Sequence, residues 1–121
     1  AGAAGLCYLA VLMKTRWGLD DALDVWGVHG VGGTFGALMT GVFATTLVNP
    51  AGGNGLIHGN SGQLAVQAVA VATTWLYAFT LTFLILKLLD RTWGLRVDVK
   101  EEVVCLDMSQ HGEEAYAEVV S

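Results

Sequence analysis

The side chain with the clearest chemical potential in this 121-residue sequence is an imidazole. His29 lies in Asp24-Val25-Trp26-Gly27-Val28-His29-Gly30-Val31-Gly32-Gly33-Thr34-Phe35-Gly36, where five glycines fall between residues 27 and 36. An imidazole titrates near neutrality and can accept or donate a proton or a hydrogen bond. No Asp, Glu, Lys or Arg occurs from Val25 through Leu86, a run of 62 residues. An ionisable ring in such a run is expensive against lipid, so it should face a bundle interior or a cavity. On a helix Val25 lies one turn before His29 and Gly33 one turn after it, all on one face. Gly30, Gly32 and Gly33 have no side chains to fill the space beside the ring. The pattern suits a narrow passage lined by Val25, His29 and Gly33. A second reading is a packing histidine bonded to a carbonyl or hydroxyl of a neighbouring helix. The residues alone leave both open.

Each glycine in a helix interior costs roughly 1 kcal/mol of helix propensity in water. Close helix approach is the usual offset in a membrane, and Gly33-Ala37-Gly41 makes a small-xxx-small row. Gly27, Gly30, Gly33 and Gly36 add an i, i+3 row beside it. The remaining candidates are weaker. His58 falls in a Gly/Asn loop and reads as solvated surface. His111 stands six residues after Cys105, a spacing that matches no zinc pattern. Gln63, Gln67, Thr73, Thr74, Thr80 and Thr82 read as interhelical bonding groups. No phosphate loop, activated nucleophile or paired carboxylate accompanies His29, so no enzyme, metal or cofactor is expected.

The elements that must hold this ring follow from composition. The chain is 54% hydrophobic and 14% charged, with a net charge of -5 and a mean hydropathy of +0.55. A soluble domain carries about 25% charged residues, so lipid is the natural solvent for the uncharged half. Six Lys and Arg residues and a pI near 4.9 exclude a nucleic-acid reader. Cys7 and Cys105 sit in regions of opposite character, which argues against a disulfide scaffold.

A helix needs about 20 apolar residues to cross a bilayer, and two stretches supply them: residues 25–48 and residues 63–89. Between them, residues 49–62 begin with Asn49-Pro50-Ala51-Gly52-Gly53-Asn54-Gly55, a cluster of turn formers. Residues 1–13 are apolar but too few to cross, and they lack the basic start and cleavage site of a signal peptide. They read as the end of a transmembrane helix that begins upstream. Lys14, Arg16, Lys87, Arg91, Arg96 and Lys100 all fall on one side of the two spans. The positive-inside rule makes that side cytoplasmic. Residues 14–24 are then a cytoplasmic loop, 49–62 an extracytoplasmic one, and 90–121 a cytoplasmic tail too short to bury its own core. The expected architecture is an all-α, polytopic transmembrane helical bundle in the cell membrane.

Asp20-Asp21-Ala22-Leu23-Asp24-Val25-Trp26-Gly27-Val28-His29-Gly30-Val31-Gly32-Gly33 resembles the tenth transmembrane segment of the ammonium transporter (Amt/Mep/Rh) family. Gly94-Leu95-Arg96-Val97, then Leu106-Asp107 and His111-Gly112-Glu113-Glu114-Ala115-Tyr116, resembles that family's carboxyl-terminal signature. The resemblance implies the C-terminal part of an eleven-helix fold, a homotrimer with one pore per subunit, and ammonium or ammonia as substrate. It implies that His29 is the second of two pore histidines and Val25 an apolar wall residue. It also implies that Asp21 and Asp24 lie at the cytoplasmic mouth. Gly94, Arg96, Asp107, His111, Gly112 and Tyr116 would then belong to the docking tail, and the resemblance implies a PII-class regulatory protein as a partner at the cytoplasmic face. Cys105 stands where the family usually has glycine before Leu-Asp. If that position needs a positive φ, cysteine strains it and weakens docking. A competing reading is a membrane-anchored ammonium sensor or interaction module that acts through the acidic tail, for which a glycine-lined histidine would have no use.

Overall fold

The computed structural model describes residues 1–113, and the described residues form helices and turns without a strand. They fall into two compact units, Ala1–Ala78 and a second that begins at Phe79. Helix α1 runs Gly2–Trp17 and ends at Gly18, whose φ of 63° is left-handed backbone that glycine adopts without penalty. A π-helical segment, Trp26–Val31, follows the loop and carries His29. It leads directly into α2, Gly32–Phe43. A single 3-10 turn, Leu56–His58, precedes α3, Ser61–Thr92.

The helix through His29 is shorter than residues 25–48. It stops at Phe43, because Ala44 takes ψ 142° and its carbonyl accepts the Gly55 N–H at 2.7 Å. Asn54 Oδ1 then captures both the Thr46 N–H at 2.9 Å and the Thr46 hydroxyl at 3.2 Å. The asparagine-glycine loop thus folds back and competes successfully for the backbone that apolar composition assigned to helix. Among the described residues only α3 is long and apolar enough in one α-helix to cross a membrane. Its 32 residues exceed the 63–89 expectation at both ends. Helix α1 likewise continues past residue 13 to Trp17.

Burial is slight for so apolar a chain. Ala10 is the one described hydrophobic residue that is buried, and no large side chain is fully enclosed. Within the second unit Phe79 stacks on Phe83 with ring centroids 6.1 Å apart, and the Lys87 ammonium lies 5.5 Å above the Phe83 ring. Phe79 nevertheless stays 70% exposed. Apolar surface on this scale is stable only against lipid or further protein.

In the second unit α3 ends at Thr92, and Gly94 just beyond it takes φ 78° with an N–H that donates to the Leu89 carbonyl at 3.1 Å. Helix α4, Val99–Val104, follows, and a short π turn, Asp107–His111, comes after it. Glu101 joins the two. Its carbonyl accepts the Ser109 hydroxyl at 3.2 Å, and its carboxylate accepts the Gln110 amide at 3.0 Å.

Candidate functional site

The site begins at the loop that delivers the chain into the π segment. The first N–H groups of any helix lack intrahelical acceptors, and here Asp21 supplies one. Its Oδ1 accepts the Val25 N–H and its Oδ2 the Trp26 N–H, each at 2.9 Å. The Trp26 N–H above all holds the Asp21 carboxyl below its ordinary value of 3.8; partial desolvation opposes this, and the Val25 N–H and the Lys14 charge add to it. Lys14, on α1, donates to the Asp21 carbonyl and forms an ion pair with Asp24 Oδ1. Asp24 itself adopts φ 55°, a conformation that aspartate tolerates better than most residues. Its carbonyl accepts the Val28 N–H at 2.9 Å. Trp17 and Trp26 pack alongside, their ring centroids 6.1 Å apart.

From this anchor the helix shows packed sides, toward α1 and toward α3, and an uncovered one. On the packed sides, Gly27 is buried, and a Cβ there would lie 3.0 Å from Val11 Cγ2 and 3.6 Å from Ala10 Cβ. A Cβ on Gly32 would meet Cys7 Sγ at 2.8 Å, and one on Gly41 would meet the Leu64 Cα at 2.9 Å. The Trp75 indole N–H donates to Thr34 Oγ1 at 2.8 Å and ties α3 to α2. These glycines are where α1 and α3 approach closely.

The other face is uncovered. His29 lies two residues past Gly27, about half a turn, and so points away from α1. It is exposed, as are Val25, Gly33, Gly36, Thr40 and Phe43. A Cβ on Gly33 or Gly36 would meet nothing within 4 Å. The Thr40 hydroxyl turns back to its own helix, donating to the Gly36 carbonyl at 3.1 Å. The stripe is therefore apolar and shallow, with one imidazole near its start. Its far end opens into a cavity of about 380 Å³ lined by Thr40, Phe43, Thr45, Asn49 and Gln63.

Val25, His29 and Gly33 thus share one uncovered stripe. The small-residue row does not act as one contact: Gly41 packs against α3, whereas Gly33 faces open space. Asp21 and Asp24 stand together at the entry to the π segment. Sequence reasoning missed Lys14 as their partner, having used it only to orient the chain. Its partners lie beyond the end of α1 at Trp17, where helical spacing no longer relates them. The Trp75–Thr34 bond was also missed, since the pair is 41 residues apart.

The tail residues fall in the second unit. Gly94 caps α3, Arg96 pairs with Glu102 at 2.8 Å, and the Asp107 carbonyl accepts the N–H groups of Gly112 and Glu113. His111 is exposed and Gly112 takes φ 66°. Tyr116 lies outside the described residues. Cys105 adopts φ 90° and ψ 133°, so the position does require the positive φ that glycine would supply without strain. Among the described residues no group of three His, Cys, Asp or Glu side chains could hold a metal ion.

A family model described as the Ammonium Transporter Family matches residues 1–116. The chain is similar to the ammonium transporter of Bacillus subtilis (strain 168), at 45% identity over 112 residues, covering 92% of this chain and 28% of that protein. It is 44% identical over 111 residues to ammonium transporter Amt1 of Archaeoglobus fulgidus, with the same 92% and 28% coverage. To the ammonium transporter of Aquifex aeolicus it is 47% identical over 115 residues, 93% of this chain and 26% of that protein. The chain spans about a quarter of the length of these curated relatives.

Proposed function

The chain belongs to the Ammonium Transporter Family, and from that premise we propose that it forms one wall of a conducting path for ammonium or ammonia across the cell membrane. The observation that carries this reading is the stripe Val25, His29, Gly33, Gly36, in which a lone imidazole stands beside glycines on a side of the helix that neither α1 nor α3 covers.

The physical logic is one of charge. A bare ammonium ion in an apolar tube would cost many kcal/mol of lost hydration. A valine and glycine wall bearing an imidazole favours deprotonation and passage of neutral ammonia. His29 accepts or donates the hydrogen bond that replaces water, and it can relay the proton. The slight burial of this chain supports further helices closing around it, within an eleven-helix subunit of a homotrimer whose other pore histidine lies on another helix. The acidic tail is cytoplasmic on this reading. Gly94, Arg96, Asp107, His111, Gly112 and Tyr116 then belong to its docking signature, and a PII-class regulator would act at the cytoplasmic face. An anchored sensor would have no use for an uncovered glycine stripe around a histidine, so transport is the better reading.

The test is His29→Ala in the full-length protein, reconstituted in lipid vesicles and assayed for ammonium and methylammonium flux. We expect flux to fall at least about tenfold, or the ratio between the two substrates to change by a similar factor, equivalent to losing one well-placed hydrogen bond or proton-transfer group. Unchanged flux and unchanged ratio would remove His29 from the path.

A further inference from the structure

We propose that Lys14 is a positioning residue for His29, acting through Asp24 and the Asp21 carbonyl. The inference rests on the reading that His29 lines the conducting path. The Lys14 side chain is only 12% exposed, and its ammonium meets two groups of the loop that starts the π segment, the Asp21 carbonyl and the Asp24 carboxylate. Both sit immediately upstream of backbone that fixes His29. Asp21 takes the N–H groups of Val25 and Trp26, and the Asp24 carbonyl takes that of Val28.

The reason an anchor is needed lies in the π segment itself. Trp26–Val31 carries wider hydrogen-bonded rings than an α-helix, a geometry that is rare and held by its surroundings. Closing it to α-helix would change the register by one residue. Everything upstream would then rotate by about 100° relative to α2. Downstream, α2 is already fixed by the close approach of Gly41 to Leu64 and by the Trp75–Thr34 bond. Upstream, Lys14 ties the loop to α1, beside the approach of Gly27 to Val11. With both ends tied the register cannot relax, and His29 stays in line with Gly33 and Gly36. Asp24, at φ 55°, has backbone that gains from being held in this way.

A double-mutant cycle tests this in the full-length protein in vesicles, with Lys14→Met, Asp24→Asn and the two combined, beside His29→Ala. Rates are taken per folded protein, quantified by size-exclusion chromatography. Each single variant is expected to lower the maximal ammonium rate about tenfold at an unchanged half-saturating concentration, and the double variant to lose no more than either single one. The ¹⁵N resonances of the His29 ring should shift in both single variants. Losses that multiply in the double variant, or Lys14→Met and Asp24→Asn rates at the wild-type level, would overturn the role of Lys14 while leaving His29 in place. A His29→Ala protein that transports normally would overturn the path reading and this inference with it. If Lys14→Met fails to fold, Asp24→Asn breaks the same ion pair from the other side, and an unshifted His29 ring there would be decisive against the proposal.

Discussion

The packed and uncovered sides of the helix that carries His29 use the same residue for opposite ends. Toward α1, at Gly27 and Gly32, and toward α3, at Gly41, glycine stands because a neighbouring atom lies where a Cβ would go, in Gly41's case a main-chain atom at 2.9 Å. On the uncovered face, Gly33 and Gly36 have nothing within 4 Å of that position. No packing in this chain requires them to be small, yet each lowers helix propensity by about 1 kcal/mol. Small residues that no neighbour within this chain demands leave that side of the helix free for the narrow passage proposed above. The lesson is that a glycine pattern by itself does not say which glycines are contacts; the distance to the next atom does, for Gly27, Gly32 and Gly41.

The sharpest way to break this comparison is to enlarge one glycine on each face of the full-length protein. Gly33→Leu should leave the yield and thermal midpoint near wild type but reduce ammonium flux in vesicles by more than about tenfold, since a bulky side chain beside the imidazole fills the path. Gly41→Ala should do the reverse. Its Cβ meets Leu64 backbone, which cannot rotate away as a side chain can, so about 1–3 kcal/mol of stability is lost. The surviving folded protein should still transport. If Gly33→Leu unfolds the protein, or Gly41→Ala folds normally, the two faces are not what their distances indicate.

Much of this was legible in the residues and some was not. The uncharged run from Val25 to Leu86 made the helices and the loop between them readable, and helical spacing put Val25, His29 and Gly33 on one side of the helix. Phe43 as the helix end was hidden, because Thr45 to Val48 are as apolar as the helix before them and only the Asn54 and Gly55 hydrogen bonds peel them away. The π segment was hidden too. A single extra residue per turn leaves no mark on an apolar sequence, and glycine permits it without announcing it. Lys14 was visible as a charge, but its partners across a loop were set by the left-handed turns at Gly18 and Asp24. The tail was a different case: the residues left open whether the position of Cys105 needs a positive φ, and its φ is 90°.

That residue gives a smaller effect that extends the comparison to a place where glycine is missing. Cys105 holds a conformation that costs a non-glycine residue about 1–3 kcal/mol, between α4 and the turn that Glu101 ties together. Cys105→Gly should recover part of this, about 1 kcal/mol after the entropy that glycine adds to the unfolded chain. Hydrogen exchange should show slower opening of residues 101–113, while amides of α1 and α2 stay unchanged. Faster or equal exchange in the tail would mean that the strain is relieved elsewhere.

The smallest effect belongs to the packed side of the entry loop, at Asp21. Its carboxyl is held below the ordinary value of 3.8, chiefly by the Trp26 N–H. A depressed carboxylate stabilises the folded state at pH above its unfolded value and loses that contribution as pH falls through the lower folded value. Asparagine in its place keeps one acceptor oxygen, so it can serve the Val25 or the Trp26 N–H but not both. Asp21→Asn should therefore lower the unfolding midpoint of the full-length protein in detergent slightly at neutral pH. It should also flatten the acid limb below pH 3.8, leaving the two proteins closest at the most acidic end. Tryptophan fluorescence melts across that range would read this. The substrate ratio should not move, because Asp21 acts on the backbone at the start of the helix and not on the stripe. An unchanged acid limb would mean that the two N–H groups find water as readily as they find the carboxylate.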